Sequence, residues 1–107
     1  MGGAKDFVNG LIMNHKVVIF GKSDCPYSHK AKDAIEAQHI KSGAMECVEI
    51  DKRPDFSEIK DYMKELTGAP STPRVFINGK FFGGGDDTVE ASKNGKLAQL
   101  LKEAQAI

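Results

Sequence analysis

The stretch Val17-Val18-Ile19-Phe20-Gly21-Lys22-Ser23-Asp24-Cys25-Pro26-Tyr27-Ser28 decides how the rest of the chain is read. Four consecutive β-branched or aromatic residues predict a strand over Lys16–Phe20, apolar on both faces and so interior to a sheet with parallel pairing. Pro26 suits the first position of a helix, because its missing N–H would have no intrahelical partner there, and Cys25 then stands at the N-cap. The sequence thus places a thiol on the opening turn of a helix. Free N–H groups at that end favour an anion by about 0.3–1 kcal/mol, and Lys22 adds a full positive charge nearby. Cysteines in such surroundings have pKa values lowered from about 8.5 to roughly 3.5–7.5, so Cys25 is expected to be a reactive thiolate.

Outward from this stretch, helical and strand periods alternate. Phe7, Val8, Leu11 and Ile12 recur at spacings of three and four and predict a short helix ending near Asn14 or His15, while Met1–Ala4 offers little to pack. After the cysteine turn a helix runs from about Pro26 to Gln38, with Ala31, Ala34 and Ile35 inward. The segment Gly43–Asp51 predicts a second strand, ended by Asp51-Lys52-Arg53-Pro54. Phe56, Ile59, Met63 and Leu66 form the apolar stripe of the next helix, and Gly68 lies where a C-terminal glycine belongs.

A loop through Pro70 and Pro73 leads to a third strand, Arg74–Ile77, and Asn78-Gly79 predicts a hairpin into a fourth at Lys80–Phe82. Asp86-Asp87-Thr88 can cap a short helix, and Leu97, Leu100 and Leu101 mark a last amphipathic one after Gly95. The order is a βαβ half followed by a ββα half. It predicts an α/β fold over residues 1–107 as a single domain: a four-stranded mixed β-sheet flanked by helices on both faces.

Composition narrows the function. The chain has 107 residues, 40% of them hydrophobic, and its 15 Lys+Arg balance 15 Asp+Glu. No basic run interleaves with aromatics, so no nucleic-acid partner is expected. No apolar segment reaches the about 20 residues that span a bilayer, and no secretion-signal layout opens the chain, so no membrane association and a cytoplasmic location are expected. Two cysteines, Cys25 and Cys47, build no disulfide framework, and Cys47 falls inside a strand, where it is expected to be inert. His29 is expected on a solvated surface. His15 and His39 have no ligand spacing around them, and no metal site is expected.

Three segments together carry a resemblance. Cys25-Pro26-Tyr27-Ser28 after a strand, Thr72-Pro73 before the third strand, and Gly83-Gly84-Gly85-Asp86-Asp87 after the hairpin resemble the glutathione-binding segments of glutaredoxins. The likeness spans nearly the whole chain, including Leu66-Thr67-Gly68-Ala69 and Pro73-Arg74-Val75-Phe76-Ile77. Trp-Cys-Gly-Pro-Cys, the mark of thioredoxins proper, is absent.

The resemblance implies the thioredoxin fold, glutathione as co-substrate, and a monomer acting on glutathionylated proteins. It implies that Cys25 is the nucleophile and that a cis peptide before Pro73 turns the Thr72 backbone toward it. Lys22 and Lys60 match positions that hold the glycine carboxylate of glutathione. Gly85, Asp86 and Asp87 match the site for its γ-glutamyl end, and Tyr27 flanks the sulfur. Arg74 is expected to pair locally.

Ser28 stands where dithiol members have a second cysteine, so the chain reads either as a natural C-P-Y-S type or as a Cys-to-Ser form of the dithiol pattern. The activity implied is glutathione-dependent reduction of mixed disulfides by a monothiol route. Two rivals stay open: an iron–sulfur cluster carrier, which Pro26 disfavours, and a non-catalytic glutathione-binding module.

Overall fold

Alternate residues of the first strand face opposite cores, and this divides the molecule into three layers. The computed structural model describes residues 3–107. Its elements are α1 (Ala4–Asn14), β1 (Val17–Gly21), α2 (Pro26–Glu36), β2 (Met45–Glu49), a 3₁₀ turn (Ile50–Lys52), α3 (Phe56–Thr67), β3 (Arg74–Ile77), β4 (Lys80–Gly83), α4 (Gly85–Lys93) and α5 (Lys96–Glu103). Val17 and Ile19 join Val75 and Ile77 on one face, under Ala31 and Ile35 of α2, Ala91 of α4, and Leu97 and Leu101 of α5. Val18 and Phe20 point the other way with Phe76, onto Val8 of α1 and Ile59 and Met63 of α3. Every residue of β1 is buried, as its unbroken apolar run predicts.

The sheet order is β2-β1-β3-β4. β1 runs parallel to β2 and antiparallel to β3, and β3 pairs antiparallel with β4. This is the four-stranded mixed sheet with helices on both faces. At its centre Phe20 and Phe76 meet edge to face, ring centroids 5.7 Å apart, a geometry worth about 0.5–1.5 kcal/mol beyond the area buried. The Asn78-Gly79 hairpin forms with φ of 54° and 79°, the two left-handed positions a tight primed turn demands. Gly68 ends α3 at φ 91°, its N–H donating to Lys64 O.

The structure shifts several expected boundaries. β1 starts and ends one residue later than expected, and α2 stops at Glu36, two residues short of Gln38. The predicted second strand contracts to Met45–Glu49, because Ile50 turns into the core within the 3₁₀ turn. Leu66 is 42% exposed, so the inward stripe of α3 ends at Met63. Ala4 belongs to α1 and packs against the core; Met1 and Gly2, expected to offer little, lie outside the described residues. No helix among the described residues is long and apolar enough to cross a membrane.

Candidate active site

β1 ends at Gly21, and the chain needs only four residues, Lys22 to Cys25, to enter α2. The loop closes on itself: the Cys25 N–H donates to Lys22 O at 3.3 Å, and Cys25 O accepts the His29 N–H at 3.2 Å to open the helix. Cys25 is the N-cap, extended at φ −98° and ψ 112°, with Pro26 first in the helix, as the sequence predicts. Its Sγ faces the loop before β3, lying 3.8 Å from the Thr72 hydroxyl and 3.9 Å from the Thr72 carbonyl. Ser28 is buried one turn along, its Oγ accepting the Lys22 N–H at 3.2 Å.

These contacts set the charge on the thiol. Partial burial pushes the Cys25 pKa up, but hydrogen bonds from the Ser28 hydroxyl, the Ser28 N–H, the Thr72 hydroxyl and the Tyr27 N–H outweigh it, and the net shift is downward. Tyr27 and Ser28 supply amides of the first helical turn, which are the orphan donors the sequence argument invokes. The Lys22 ammonium is not among the groups that set the shift. The expected direction holds, with neutral donors in place of the cation.

The opposite wall is the segment from Pro70 to Arg74. Its Thr72–Pro73 peptide is cis, as the resemblance implies. Pro73 is buried, and a Cβ at Gly85 would come within 3.1 Å of Tyr27 Cβ and 3.4 Å of Pro73 Cγ, so three chain segments meet at van der Waals contact beside the sulfur. Arg74 braces this wall locally, donating to Pro73 O, to Ser71 Oγ and to Thr67 Oγ1, each at 3.3 Å. Its guanidinium also lies over the Phe81 ring, 5.0 Å from the centroid.

Charged groups lie on either side of the thiol. Lys22, Lys60 and Thr72 line one hollow of about 240 Å³ with Pro70 and Ser71, and the Lys60 ammonium rests 4.6 Å over the Phe56 ring. Beyond Gly85, the exposed Asp86 and Asp87 occupy the first turn of α4, where carboxylates suit the helix dipole. The N-cap residue is Gly84, and the expected capping by the aspartates comes from Asp87 at the third helical position, whose carboxylate reaches back to accept the Gly84 N–H at 3.0 Å. Tyr27 is half exposed beside the sulfur, with the Lys30 ammonium 5.2 Å from its ring centroid.

Comparison with known proteins agrees with this geometry. The family profile described as Glutaredoxin matches residues 17–82. The chain belongs to the glutaredoxin family. It is 45% identical over 95 residues to Glutaredoxin-C8 of Oryza sativa subsp. japonica, covering 89% of this chain and 69% of that protein. It is 40% identical over 104 residues to Glutaredoxin-1 of Homo sapiens, covering 97% and 98%. Oxidized glutaredoxin 2 from Chlamydomonas reinhardtii superposes with a TM-score of 0.89 at 43% identity, covering 97% of this chain and 95% of that one. A buckwheat glutaredoxin–glutathione complex superposes equally well, TM-score 0.89 at 30% identity, covering 97% and 92%. The fold of this glutaredoxin is therefore thioredoxin-like, and its chemistry is that of a thiol–disulfide oxidoreductase.

Two polar residues of this glutaredoxin escape the sequence argument. Asp51, read only as a strand breaker, accepts two hydrogen bonds from Ser23, and His29, expected to be merely solvated, donates its ring N–H to Ser23 O at 2.9 Å while remaining exposed. Neither signal is local, because each depends on where the fold brings the Lys22–Asp24 loop. Cys47 sits half-buried on β2, and burial pushes its thiol pKa up. Both cysteines are free.

Proposed function

We propose that this glutaredoxin reduces glutathione mixed disulfides by a monothiol route through Cys25, with glutathione as co-substrate. The observation that carries this reading is a thiol of lowered pKa whose neighbour one helical turn on is the hydroxyl of Ser28. A hydroxyl cannot close a disulfide, so Cys25 has no thiol partner one helical turn along.

In the first step the Cys25 thiolate attacks the glutathione sulfur of R–S–S–G, forming Cys25–S–S–G and releasing RS⁻, which takes a proton from water. In the second step the thiolate of another glutathione attacks the glutathione sulfur of that adduct. Glutathione disulfide leaves, and Cys25 returns as a thiolate. The donors from Ser28, Thr72 and the amide of Tyr27 stabilise Cys25 as attacking group and then as leaving group.

Substrate recognition follows from the walls of the site. Lys22 and Lys60 line the same hollow as Thr72 and offer ammonium partners for the glycine carboxylate. The backbone of Thr72 offers strand-like pairing to the cysteinyl unit. The Gly85 amide with Asp86 and Asp87 answers the γ-glutamyl carboxylate and ammonium, and Tyr27 covers the sulfur. The glutathione complex of the buckwheat relative supports glutathione as the ligand. Because every contact named is to the glutathione half, the R group is left free to vary, and we propose glutathionylated proteins as the substrate class.

A coupled assay of glutathione-dependent reduction of a small mixed disulfide tests the proposal, run beside mass spectrometry after exposure to oxidised glutathione. Turnover with a single adduct on Cys25 is the expected result. Turnover that survives in Cys25→Ser would overturn the route, and binding of glutathione without turnover in the parent protein would favour a binding module.

A further inference from the structure

Every hydrogen-bonding group of Ser23 is taken, and two of the three bonds end on one distant carboxylate. The Ser23 N–H donates to Asp51 Oδ1 at 3.0 Å and the Ser23 hydroxyl to Asp51 Oδ2 at 2.6 Å, while Ser23 O accepts from His29 Nε2 at 2.9 Å. The sheet explains why Asp51 arrives there. β1 and β2 pair in parallel with Gly21 opposite Glu49, and the same register carried two residues past the strand ends sets Ser23 opposite Asp51. Ser23 lies next to Lys22 and two residues before Cys25, in the loop that carries both the ammonium and the thiol. The bonds from Cys25 N–H to Lys22 O, from Lys22 N–H to Ser28 Oγ and from the His29 ring stay within the β1–α2 unit, and the Cys25 sulfur reaches out of it, to Thr72. Asp51 ties that unit to the turn at the end of the neighbouring strand β2.

We infer that Asp51 is a positioning residue for the thiol site: its carboxylate clamps Ser23 and thereby holds the Lys22–Cys25 loop, so that Cys25 stays against the Ser28 and Thr72 hydroxyls and Lys22 stays beside the substrate hollow. Bonds to an ionised carboxylate are shorter and stronger than neutral ones, and the two from Ser23 hold the Asp51 pKa below the usual carboxylate value, so the clamp persists through the neutral range. An Asn in its place can keep both contacts, its Oδ1 accepting the Ser23 N–H and its NH₂ donating to the Ser23 hydroxyl, but only as neutral bonds, which are weaker than those to a carboxylate.

The test compares Asp51→Ala, Asp51→Asn, Ser23→Ala and the Asp51→Ala/Ser23→Ala pair. Two readouts are taken: the pH profile of Cys25 alkylation by iodoacetamide, which needs no glutathione, and KM against kcat for a small glutathione mixed disulfide. The second rests on the function proposed above; the first does not, so absence of turnover in the parent protein would count against that function alone.

For Asp51→Ala the expected result is an upward shift of the alkylation midpoint and a KM raised by about five- to tenfold, the order expected when a charge-assisted bond that positions a site is lost. Asp51→Asn is expected to lie between parent and Asp51→Ala, and the double variant to match Asp51→Ala alone. An Asp51→Ala protein with the parental alkylation midpoint and KM, whatever its melting temperature, overturns the inference. If Asp51→Ala fails to fold, Ser23→Ala and Asp51→Asn decide it on the same two readouts: a shift in either supports the clamp, and parental values in both refute it.

Discussion

Gly83→Ala should damage both stability and substrate binding, for a reason that can be measured in ångströms. Gly83 closes β4 opposite Val75 and is buried. A Cβ there would sit 2.6 Å from Asp87 Oδ2, 2.7 Å from Asp87 Cβ and 2.9 Å from Asp87 Cγ. Ordinary carbon contacts are about 3.5–4.0 Å, so Asp87 would have to retreat by roughly 1 Å. Side-chain rotation moves Oδ2 and Cγ but leaves Cβ in place, and Cβ is fixed to the first turn of α4. Either α4 tilts off β4, or its first turn distorts and Asp87 releases the Gly84 N–H.

Overpacking of this kind costs about 1–3 kcal/mol, and loss of a capping bond about 0.5–2 kcal/mol. With about 4–8 °C of melting temperature per kcal/mol at this size, the overpacking alone lowers it by roughly 4–24 °C, and loss of the capping bond adds to that. The same displacement shifts Asp86 and Asp87, so KM for a glutathione mixed disulfide should rise more than kcat falls. Thermal melts followed by circular dichroism and steady-state kinetics measure the two. In an Asp87→Gly background, which removes the colliding atoms, Gly83→Ala should cost under about 1 kcal/mol. A single variant that melts with the parent and keeps its KM would refute the steric argument.

Other consequences are equally specific. Ser28→Cys should let Cys25 close an internal disulfide, read as the loss of two titratable thiols after oxidation; an unchanged thiol count would contradict the placement of Ser28 beside the sulfur. Lys22→Gln should raise KM while leaving the alkylation midpoint of Cys25 nearly in place, because hydrogen bonds and not this ammonium set the thiol pKa. Asp51 has a lowered pKa in the folded protein, so its stabilising contribution is present above the ordinary aspartate value, about 3.9, and is lost as pH falls through the lower folded value. The melting-temperature gap between parent and Asp51→Asn should therefore be level near neutrality and shrink in acid below that value, and a gap independent of pH would refute the assignment.

What the sequence made legible was what short-range chemistry controls. The strand of β1, the helix start at Cys25-Pro26, the Asn78-Gly79 turn and the Gly68 stop all follow from local conformational preference, and the thiol site is readable because it is built on one such start. The order β2-β1-β3-β4 was not readable, since periodicity says which faces are buried and not which strands are neighbours. Leu66 kept the helical spacing of the stripe but lies in the last turn of α3, where it is left 42% exposed. Asp87 caps α4 from the third helical position and not from the N-cap, because α4 starts at once where β4 ends, with only Gly84 between. Asp51 escaped because its contact with Ser23 exists only once β1 and β2 are in register, and His29 because its bond to Ser23 O needs the loop before α2 to fold back over the helix start.

The most direct test of the central claim is the pH dependence of alkylation at each cysteine of the unaltered protein, resolved by mass spectrometry. Cys25 should react with a midpoint below that of an ordinary free thiol, about 8.5, and Cys47 with one above it. A Cys25 midpoint equal to or above that of a free thiol would contradict the account, because the donors gathered around the sulfur would then not be holding it as a thiolate.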